Sequence, residues 1–514
     1  MGDREKEQAP DDRMKQAAPA HRFGSLTRLL WSDGKTLGQR AIRSSIWVVG
    51  SMACTRLLGM VQTIILVRLL LPEDFGIMRI AGFVLALVTT FSRTGIGTAV
   101  IQRKEIDDEV LNTAWTMEVI RSTVLFALVF FLAPAAAWFY ENPLIRPILR
   151  VISLRILFGG FNNIGLVLLR RDVNFRKHEI LEITTNSLSI ILTVVVAFYT
   201  RNVWALAVGW AAFAFMKLVG SYIVHPFRPR PALRRRHARE LLGFGLKLTG
   251  SGILIFVATE GDDALVGKVV GLAALGFYTL AYRLSNLPAI CFTHVLGGVA
   301  TPTYAKVQND VTRLRQVFSI MLRVVTVLVS AASLGLFLLA PDLVRVVYGA
   351  RYAPMIGCFQ ILILYGFFRA LTAVAGPLFI GTGRPHLELS LQVVRVSTLA
   401  VAIYPATKAW GISGAALSTV FSMGISMVWA FSRVYGILGG PVLLCWARES
   451  VRVSAALAAM AGVVWAARYF GVSASVFGLI GTVFVGAVVY GAALFVIWPK
   501  LLVEGRSLVR KSIS

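Results

Sequence analysis

Apolar runs of about 20 residues alternate with short polar breaks along the chain, starting at Ser44. An α-helix needs about 20 predominantly apolar residues to cross the hydrocarbon core of a bilayer. The pattern therefore predicts an all-α, polytopic membrane protein with about fourteen transmembrane helices. The predicted spans are 44–70, 77–100, 111–138, 151–169, 180–199, 203–224, 241–258, 271–299, 319–340, 355–382, 387–405, 412–432, 453–470 and 475–498.

The composition agrees with this class of protein. Of the 514 residues, 56% are hydrophobic and only 15% are charged, whereas soluble domains contain roughly 45–50% apolar and about 25% charged residues. These values argue against a soluble enzyme and exclude a disordered chain. The four cysteines lie far apart in or beside apolar runs, so we interpret them as small apolar residues, and no metal or cofactor is predicted.

The charge is strongly basic, with 52 Lys and Arg residues against 26 Asp and Glu residues. In a soluble protein, a net charge of +26 would indicate nucleic-acid binding. Here 32 of the cations lie in the termini and in the even-numbered breaks, 7 lie in the odd-numbered breaks, and 13 lie inside spans, with Arg468 counted in span 453–470. Because basic loops stay on the cytoplasmic side, the bias predicts that both termini are cytoplasmic, and no nucleic-acid partner is needed.

A short internal repeat suggests two parallel halves. Residues 75–81 and 275–281 have similar sequences, and both open an even-numbered span. An offset of six spans predicts two parallel six-helix lobes with a cavity between them. The predicted organisation is a cytoplasmic polar tail (1–43), an N-lobe (44–224), a basic linker (225–240), a C-lobe (241–432), two further spans (433–498) and a cytoplasmic C-terminal tail (499–514).

The cations inside the spans are the candidates for chemistry. A charge at the bilayer centre costs at least about 2.5–3.5 kcal/mol, so such residues face a polar interior or a partner. Near span ends, the side chain can instead extend to the headgroups, and we expect this for Arg68, Arg79, Lys217, Arg323 and Arg395. Spans 1, 2, 7 and 8 correspond under the repeat, and each holds a deeper cation: Arg56, Arg93, Lys247 and Arg283. We expect these four to form an anion site that suits phosphate, with Arg369 and Arg155 as weaker members; the alternative is scattered structural pairing.

Two carboxylates lie clearly inside spans, Glu118 and Glu182. Each is a candidate for binding a coupling proton or cation. The structural alternative for Glu118 is an ion pair with Arg121, three residues along the same helix. The acidic cluster Glu260, Asp262 and Asp263 falls at the outer end of span 7, where we expect it to be solvated, with docking of Asp263 against the bundle as the alternative.

Four stretches resemble a known family of transporters. They are 65–76 (Ile-Leu-Val-Arg-Leu-Leu-Leu-Pro-Glu-Asp-Phe-Gly), 95–104 (Gly-Ile-Gly-Thr-Ala-Val-Ile-Gln-Arg-Lys), 168–176 (Leu-Leu-Arg-Arg-Asp-Val-Asn-Phe-Arg) and 276–288 (Gly-Phe-Tyr-Thr-Leu-Ala-Tyr-Arg-Leu-Ser-Asn-Leu-Pro). The pattern, which covers roughly residues 44–440, is similar to Wzx-type oligosaccharide flippases, close to WzxC-like exporters. Their superfamily also holds the lipid II flippase and multidrug extruders. The lipid II flippase has a cavity arginine in its first span, and Arg56 most nearly matches that residue. A second cation follows six residues later in that flippase, whereas this sequence has Gln62.

The resemblance implies a non-enzymatic flippase of the bacterial inner membrane. Its substrate would be a polyprenyl-pyrophosphate-linked oligosaccharide, a repeat unit of lipopolysaccharide, exopolysaccharide or capsule. Membrane lipids, a glycan polymerase and export machinery are the implied partners, and we expect a monomer. Two alternatives remain, a multidrug extruder of the same fold, whose cavity would be acidic, and a multi-span oligosaccharide polymerase or ligase, which would carry a large outer loop.

Overall fold

The computed structural model describes residues 37–92, 95–103, 106–171 and 175–498. Within these ranges every regular element is a helix. The first half contains α1 (Leu37–Leu69), α2 (Pro72–Phe91), α3 (Ile96–Gln102), α4 (Asp108–Phe139), α5 (Ile145–Gly160), α6 (Gly165–Arg171), α7 (Phe175–Thr200) and α8 (Trp204–Val224).

The second half follows an extended segment, 225–234. It contains α9 (Arg235–Val269), α10 (Leu272–Ser285), α11 (Leu287–Lys306), α12 (Val311–Leu343), α13 (Met355–Thr372), α14 (Ala375–Gly381), α15 (Pro385–Leu438), α16 (Pro441–Tyr469) and α17 (Val476–Ile497). Single helical turns lie at Val344–Tyr348, Ala350–Tyr352 and Val472–Ala474.

The all-α membrane architecture is confirmed. Ten helices in the described ranges are long and apolar enough to cross a membrane. The protein is therefore a multi-pass membrane protein. The count of fourteen spans stays a prediction, and the predicted tails lie largely outside the described residues, which begin at 37 and end at 498.

The predicted start of the second span, residue 77, is wrong. Helix α2 begins at Pro72, where a proline needs no backbone donor. The Asp74 carboxylate accepts a hydrogen bond from the Leu71 backbone N–H (2.8 Å) and so caps this first turn. The polar residues Pro72, Glu73 and Asp74 therefore start a helix instead of filling a loop.

Four predicted spans, 77–100, 151–169, 271–299 and 355–382, each cover parts of two helices. In the second half, the first break lies at Asn286, between α10 and α11. Pro288 has no N–H to donate to the Leu284 carbonyl. The Asn286 side chain donates to the Tyr282 carbonyl (2.9 Å), which also accepts from the Asn286 backbone N–H (3.2 Å). The second break, at residues 373–374, precedes Pro377 in the same way. Conversely, α15 unites two predicted spans, which meet at a kink where Gly411 has φ +57°.

Apolar packing differs between the two ends of the bundle. We call the end at which α1 ends and α2 begins, around Leu70, the distal end, and the opposite end the proximal end. The largest buried cluster is distal and joins both halves, with Leu70 and Ile77 beside Tyr278 and Tyr352. Proximal clusters are separate.

One proximal cluster, around Ile96 and Leu111, belongs to the first half and includes Leu241 of α9. Another, around Tyr304 and Phe318, belongs to the second half. The distal cluster thus joins the halves, whereas at the proximal end the start of α9 packs with the first half and the rest of the described second half has its own cluster.

Candidate substrate cavity

A cavity of about 420 Å³ lies between the two halves. This volume is in the range of small-molecule sites, about 300–1,000 Å³. Its walls come from both halves, chiefly α1, α2 and α8 on one side and α9, α10 and α13 on the other. The polar residues that line it are Gln62, Thr63, Arg79, Glu260, Asp263, Thr279, Tyr282, Arg283, Asn286 and Arg369.

Two of the predicted cations, Arg283 and Arg369, line this cavity. Arg283 comes from the last turn of α10, and its Nη2 lies 3.5 Å from the position that a Cβ would take at Gly59 of α1. Arg369 Nη1 donates to Asn286 Oδ1 (2.9 Å). Neither guanidinium has a carboxylate within ion-pair distance among the described residues. Within the described part of the chain, these two positive charges therefore have no direct carboxylate partner.

Arg79 is a third cavity cation, and the expectation that it extends to the headgroups is wrong. Its Nη2 contacts Glu260 Oε2 at 2.9 Å and also pairs with the Asp263 carboxylate. The Arg79 side chain is 26% exposed and that of Asp263 only 4%. A charge inside the membrane is stabilised by such pairing, and this pair links α2 of the first half to α9 of the second.

The predicted solvation of the acidic cluster is also wrong for Asp262 and Asp263, which are 4% and 3% exposed. The alternative, docking of Asp263 against the bundle, is confirmed by its pairing with Arg79. Asp262 points away from that pair, into the second half. Its Oδ2 accepts a hydrogen bond from the Tyr278 hydroxyl (2.7 Å), which lies 3.1 Å from Thr419 Oγ1. Both carboxylates are buried because α9 continues to Val269, well past the predicted span end at 258.

Polar contacts between the halves close the distal end. Lys268 Nζ donates to Glu141 Oε1 and to the Phe139 carbonyl, both at 2.7 Å. The hydrogen bond from Lys268 holds the pKa of the Glu141 carboxyl below its usual range. The Tyr352 hydroxyl donates to the Leu70 carbonyl (3.0 Å). Together with the shared apolar cluster, these contacts seal the cavity distally.

The remaining members of the predicted anion site have different positions. Arg56 is half-buried on α1, seven residues before Thr63 and so on the same helical face as this cavity residue, two turns closer to the proximal end. Arg93 lies outside the described residues. Lys247 lies in the helical range of α9, but its side chain is outside the described part.

Arg155 does not line the cavity. Its guanidinium lies over the ring of Trp210, 4.9 Å from the ring centroid, and Trp210 is itself a cavity residue. The geometry is that of a cation–π contact. Arg155 therefore contacts a residue of the cavity wall without lining the cavity itself.

Both predicted coupling carboxylates have cationic neighbours. Glu118 Oε2 accepts from Arg121 Nε (3.0 Å), so the i, i+3 pair is confirmed. Glu182 pairs with Lys217 of α8 and lies 3.8 Å from His178 Nε2. The expectation that Lys217 reaches the headgroups is therefore wrong.

Three other cations were expected to reach the headgroups. Arg323 forms an ion pair with Glu449, its Nε 2.9 Å from Oε2, and Arg395 Nη2 donates to the Tyr365 hydroxyl (2.6 Å), so the expectation is wrong for both. Arg68 is an exposed residue at the distal end of α1, where its Nε donates to the Val347 carbonyl (2.9 Å). Intramembrane cations thus find partners on other helices, which a sequence pattern cannot locate.

Sequence reasoning missed Arg79, Glu260 and Asp263 as cavity residues. The sequence held a signal, because Arg79 lies in the repeated segment 75–81. The two acids lie just beyond the predicted end of span 7, in the half of the chain that holds the second copy of the repeat. Two residues 184 positions apart form the contact, so only the fold shows which charges meet.

Comparison with known proteins shows the family and the fold. The chain matches the family model described as "Polysaccharide biosynthesis protein" over residues 65–357. It is 24% identical over 407 residues to "Lipopolysaccharide biosynthesis protein WzxC" of Escherichia coli K12, covering 79% of this chain and 83% of that protein. It is 28% identical over 315 residues to "Succinoglycan biosynthesis transport protein ExoT" of Rhizobium meliloti 1021, covering 60% of this chain and 64% of that one.

Solved structures share the fold. The lipid II flippase MurJ, in an inward closed conformation, superimposes with a TM-score of 0.71 at 15% identity, over 90% of this chain and all of that one. A multidrug resistance transporter of the MATE family superimposes with a TM-score of 0.58 at 16% identity, over 74% of this chain and 95% of that one. Fold and cavity define a polytopic membrane protein with the architecture of these transporters. The chain belongs to the polysaccharide biosynthesis protein family.

Proposed function

We propose that this protein is a flippase that moves a polyprenyl-pyrophosphate-linked oligosaccharide across the bacterial inner membrane by alternating access. The glycan would be a repeat unit of lipopolysaccharide, exopolysaccharide or capsule, as the names of WzxC and ExoT suggest. The protein acts as a transporter and catalyses no chemical step.

The observation that carries this proposal is the unbalanced positive charge of the cavity. Its lining includes three arginines, Arg79, Arg283 and Arg369, but only two carboxylates. Both carboxylates are occupied by Arg79, so Arg283 and Arg369 are available for an anion. Guanidinium groups bind phosphate oxygens with planar, bidentate geometry. A lipid-linked pyrophosphate supplies such oxygens, and its chain can remain in the bilayer.

Further cations complete the proposed pyrophosphate site. Arg56 shares a face of α1 with Thr63, which supports a place toward the proximal entrance. Arg93 and Lys247 belong to the proposal through the sequence repeat alone. Arg155 belongs to it less directly, because it reaches the cavity through Trp210.

The packing of the two ends supports alternating access. At the distal end, a shared apolar cluster and the Arg79–Asp263 pair join the halves. At the proximal end, the described clusters of the two halves are separate apart from Leu241 at the start of α9, which packs with the first half. The described state is thus closed distally, and the reverse state requires the distal contacts to break, as in the rocking of one half against the other.

Topology and partners belong to the same proposal. Both termini are cytoplasmic, which makes the proximal end the cytoplasmic side and agrees with the excess of Lys and Arg in the proximal breaks. The protein works as a monomer among membrane lipids, beside a glycan polymerase and export machinery. For the coupling ion we propose Glu118 and Glu182, because each is a half-buried carboxylate inside a span.

The charge of the cavity also counts against the multidrug alternative. A cavity for cationic drugs needs an excess of acids, whereas this one has an excess of arginine. A polymerase or ligase would need a large distal loop, but the distal connections at 70–71 and 270–271 are two-residue turns.

Depletion in the native host tests the proposal. If the protein is a flippase, its loss should cause lipid-linked oligosaccharide to accumulate in the inner leaflet, and expression of the wild-type chain should reverse the accumulation. Normal export of the glycan after depletion, with no accumulated precursor, would refute the proposal.

A further inference from the structure

A second cavity, of about 230 Å³, lies inside the first half, toward its proximal end. It is formed where α4, α5, α7 and α8 meet the segment 161–164. We call it the glycan chamber. Its polar and aromatic lining residues are Trp115, Glu118, Asn162, Asn163, His178 and Lys217.

One face of α8 connects this chamber to the central cavity. Trp210 lines the central cavity and Lys217 lines the chamber. Seven residues are two helical turns, so both side chains project from the same face, about 10 Å apart along the axis. Phe213 lies between them, with Lys217 Nζ 5.8 Å from its ring centroid. A substrate held in the central cavity can therefore extend along this face.

Arg155 lies across the same face. Its guanidinium is 4.9 Å from the ring centroid of Trp210 and 5.8 Å from that of Phe213. The side chain of Arg155 is solvent-exposed in spite of its apolar neighbours. Its donors can thus still bind a further acceptor.

The chamber also contains a hydrogen-bonding atom with no partner. Asn162 Oδ1 is buried and accepts no hydrogen bond from the described residues. Leaving a buried polar atom unpaired costs free energy, so such atoms point to a ligand or water that completes them. The neighbouring amide, Asn163, is satisfied by the carbonyls of His225 and Phe227 (3.2 and 2.7 Å). Of these two neighbouring amides, Asn162 is therefore the one with free hydrogen-bonding capacity.

The chemistry of this surface suits a sugar. A pyranose ring presents C–H groups to aromatic faces such as those of Trp210 and Phe213, and hydroxyl groups at its edge to carboxylates, amides and ammonium groups. The volume is below the usual range of about 300–1,000 Å³ for drug-sized ligands, so a single sugar residue fits it better than a whole repeat unit.

We propose that the glycan chamber and the α8 face from Trp210 to Lys217 bind the glycan part of the substrate, while the pyrophosphate lies at Arg283 and Arg369 in the central cavity. This inference rests on the proposed flippase function. It makes Asn162 and Phe213 residues that determine which glycans are accepted.

Two lipid probes separate the two sites. The first is undecaprenyl pyrophosphate without sugar, and the second is the lipid-linked repeat unit isolated from the native host. Binding of each to the purified full-length protein is measured for the wild type, Asn162→Leu, Phe213→Leu and Arg283→Ala. Asn309→Leu, in an exposed turn, is the matched control for the first variant.

Asn162→Leu should weaken binding of the sugar-bearing probe by about tenfold, the equivalent of one good buried hydrogen bond. Phe213→Leu should weaken it through the loss of the aromatic face, and both variants should leave binding of the bare pyrophosphate probe unchanged. Arg283→Ala should weaken both probes, and Asn309→Leu neither. Equal effects of Asn162→Leu and Phe213→Leu on both probes, or no effect on either, would overturn the glycan chamber and leave the flippase proposal intact. If the wild type binds neither probe, the proposed function itself fails. Phe213→Leu decides the matter if Asn162→Leu does not fold.

Discussion

Gly76 and Gly276, two hundred residues apart in the chain, face each other where α2 crosses α10. A Cβ at Gly76 would lie 1.8 Å from the Leu272 carbonyl oxygen, and a Cβ at Gly276 would lie 1.8 Å from the Pro72 carbonyl oxygen. The two contacts are related by the same offset as the repeated segments 75–81 and 275–281. The repeat is thus a pair of helices packed backbone to backbone across the two halves, at the distal end of the cavity.

Substitution of either glycine by alanine should disrupt the distal contact. Because a methyl group cannot fit against a backbone carbonyl, Gly76→Ala should force α2 and α10 apart and destabilise the protein by about 1–3 kcal/mol, as overpacking does. Thermal unfolding in detergent measures the loss. Gly491→Ala is the control, since nothing lies within 4 Å of that Cβ position, and equal melting temperatures for the two variants would contradict the close contact.

The Arg79–Asp263 pair should behave as a coupled unit. In a double-mutant cycle with Arg79→Gln and Asp263→Asn, we expect a coupling free energy of about 1–3 kcal/mol, because the pair is largely buried. The matched control is the exposed pair Arg234–Glu109 (3.2 Å), for which surface ion pairs predict less than about 1 kcal/mol. Additive effects of the two substitutions at Arg79 and Asp263 would show that the pair does not join the halves.

Two buried tyrosines offer a matched test of the Asp262 hydrogen bond. The Tyr278 hydroxyl donates to Asp262, whereas the Tyr304 hydroxyl is buried without a hydrogen-bond partner among the described residues. Tyr278→Phe should therefore cost about 1 kcal/mol, and Tyr304→Phe should be neutral or stabilising. Melting temperatures of the two variants measure the difference. The assigned hydrogen bond is wrong if Tyr278→Phe melts at or above the temperature of Tyr304→Phe.

Hydropathy predicts the helices of this fold well and their ends poorly. Predicted spans 180–199 and 203–224 fall on α7 and α8 with shifts of five residues or fewer. The hydropathy pattern predicts that span 7 ends at 258, but α9 continues to Val269. The charged residues at its end are buried by the other half, and a hydropathy window cannot register such tertiary burial.

The candidate site was predictable only in part. Arg283 and Arg369 could be selected because a deep intramembrane cation needs a polar environment, and the structure places both on the cavity. Arg79 was harder to select, because its position near a predicted span end favours a side chain that extends to the headgroups over an ion pair. Gln62 of α1 also lines the cavity, and the arginines that line it lie on α2, α10 and α13.

The most direct test of the account is translocation of the host's lipid-linked repeat unit in vesicles that contain the purified protein. Arg283→Ala and Arg369→Ala should each reduce the rate at least about tenfold, since each removes a charge-assisted contact to the pyrophosphate worth about 1.5–3 kcal/mol. The control variant Arg313→Ala, at an exposed position in the first turn of α12 near the proximal end, should transport at the wild-type rate. The double variant Arg283→Ala, Arg369→Ala, if folded, should be inactive. Transport by this folded double variant at the wild-type rate would contradict the central claim that cavity arginines bind the substrate's pyrophosphate.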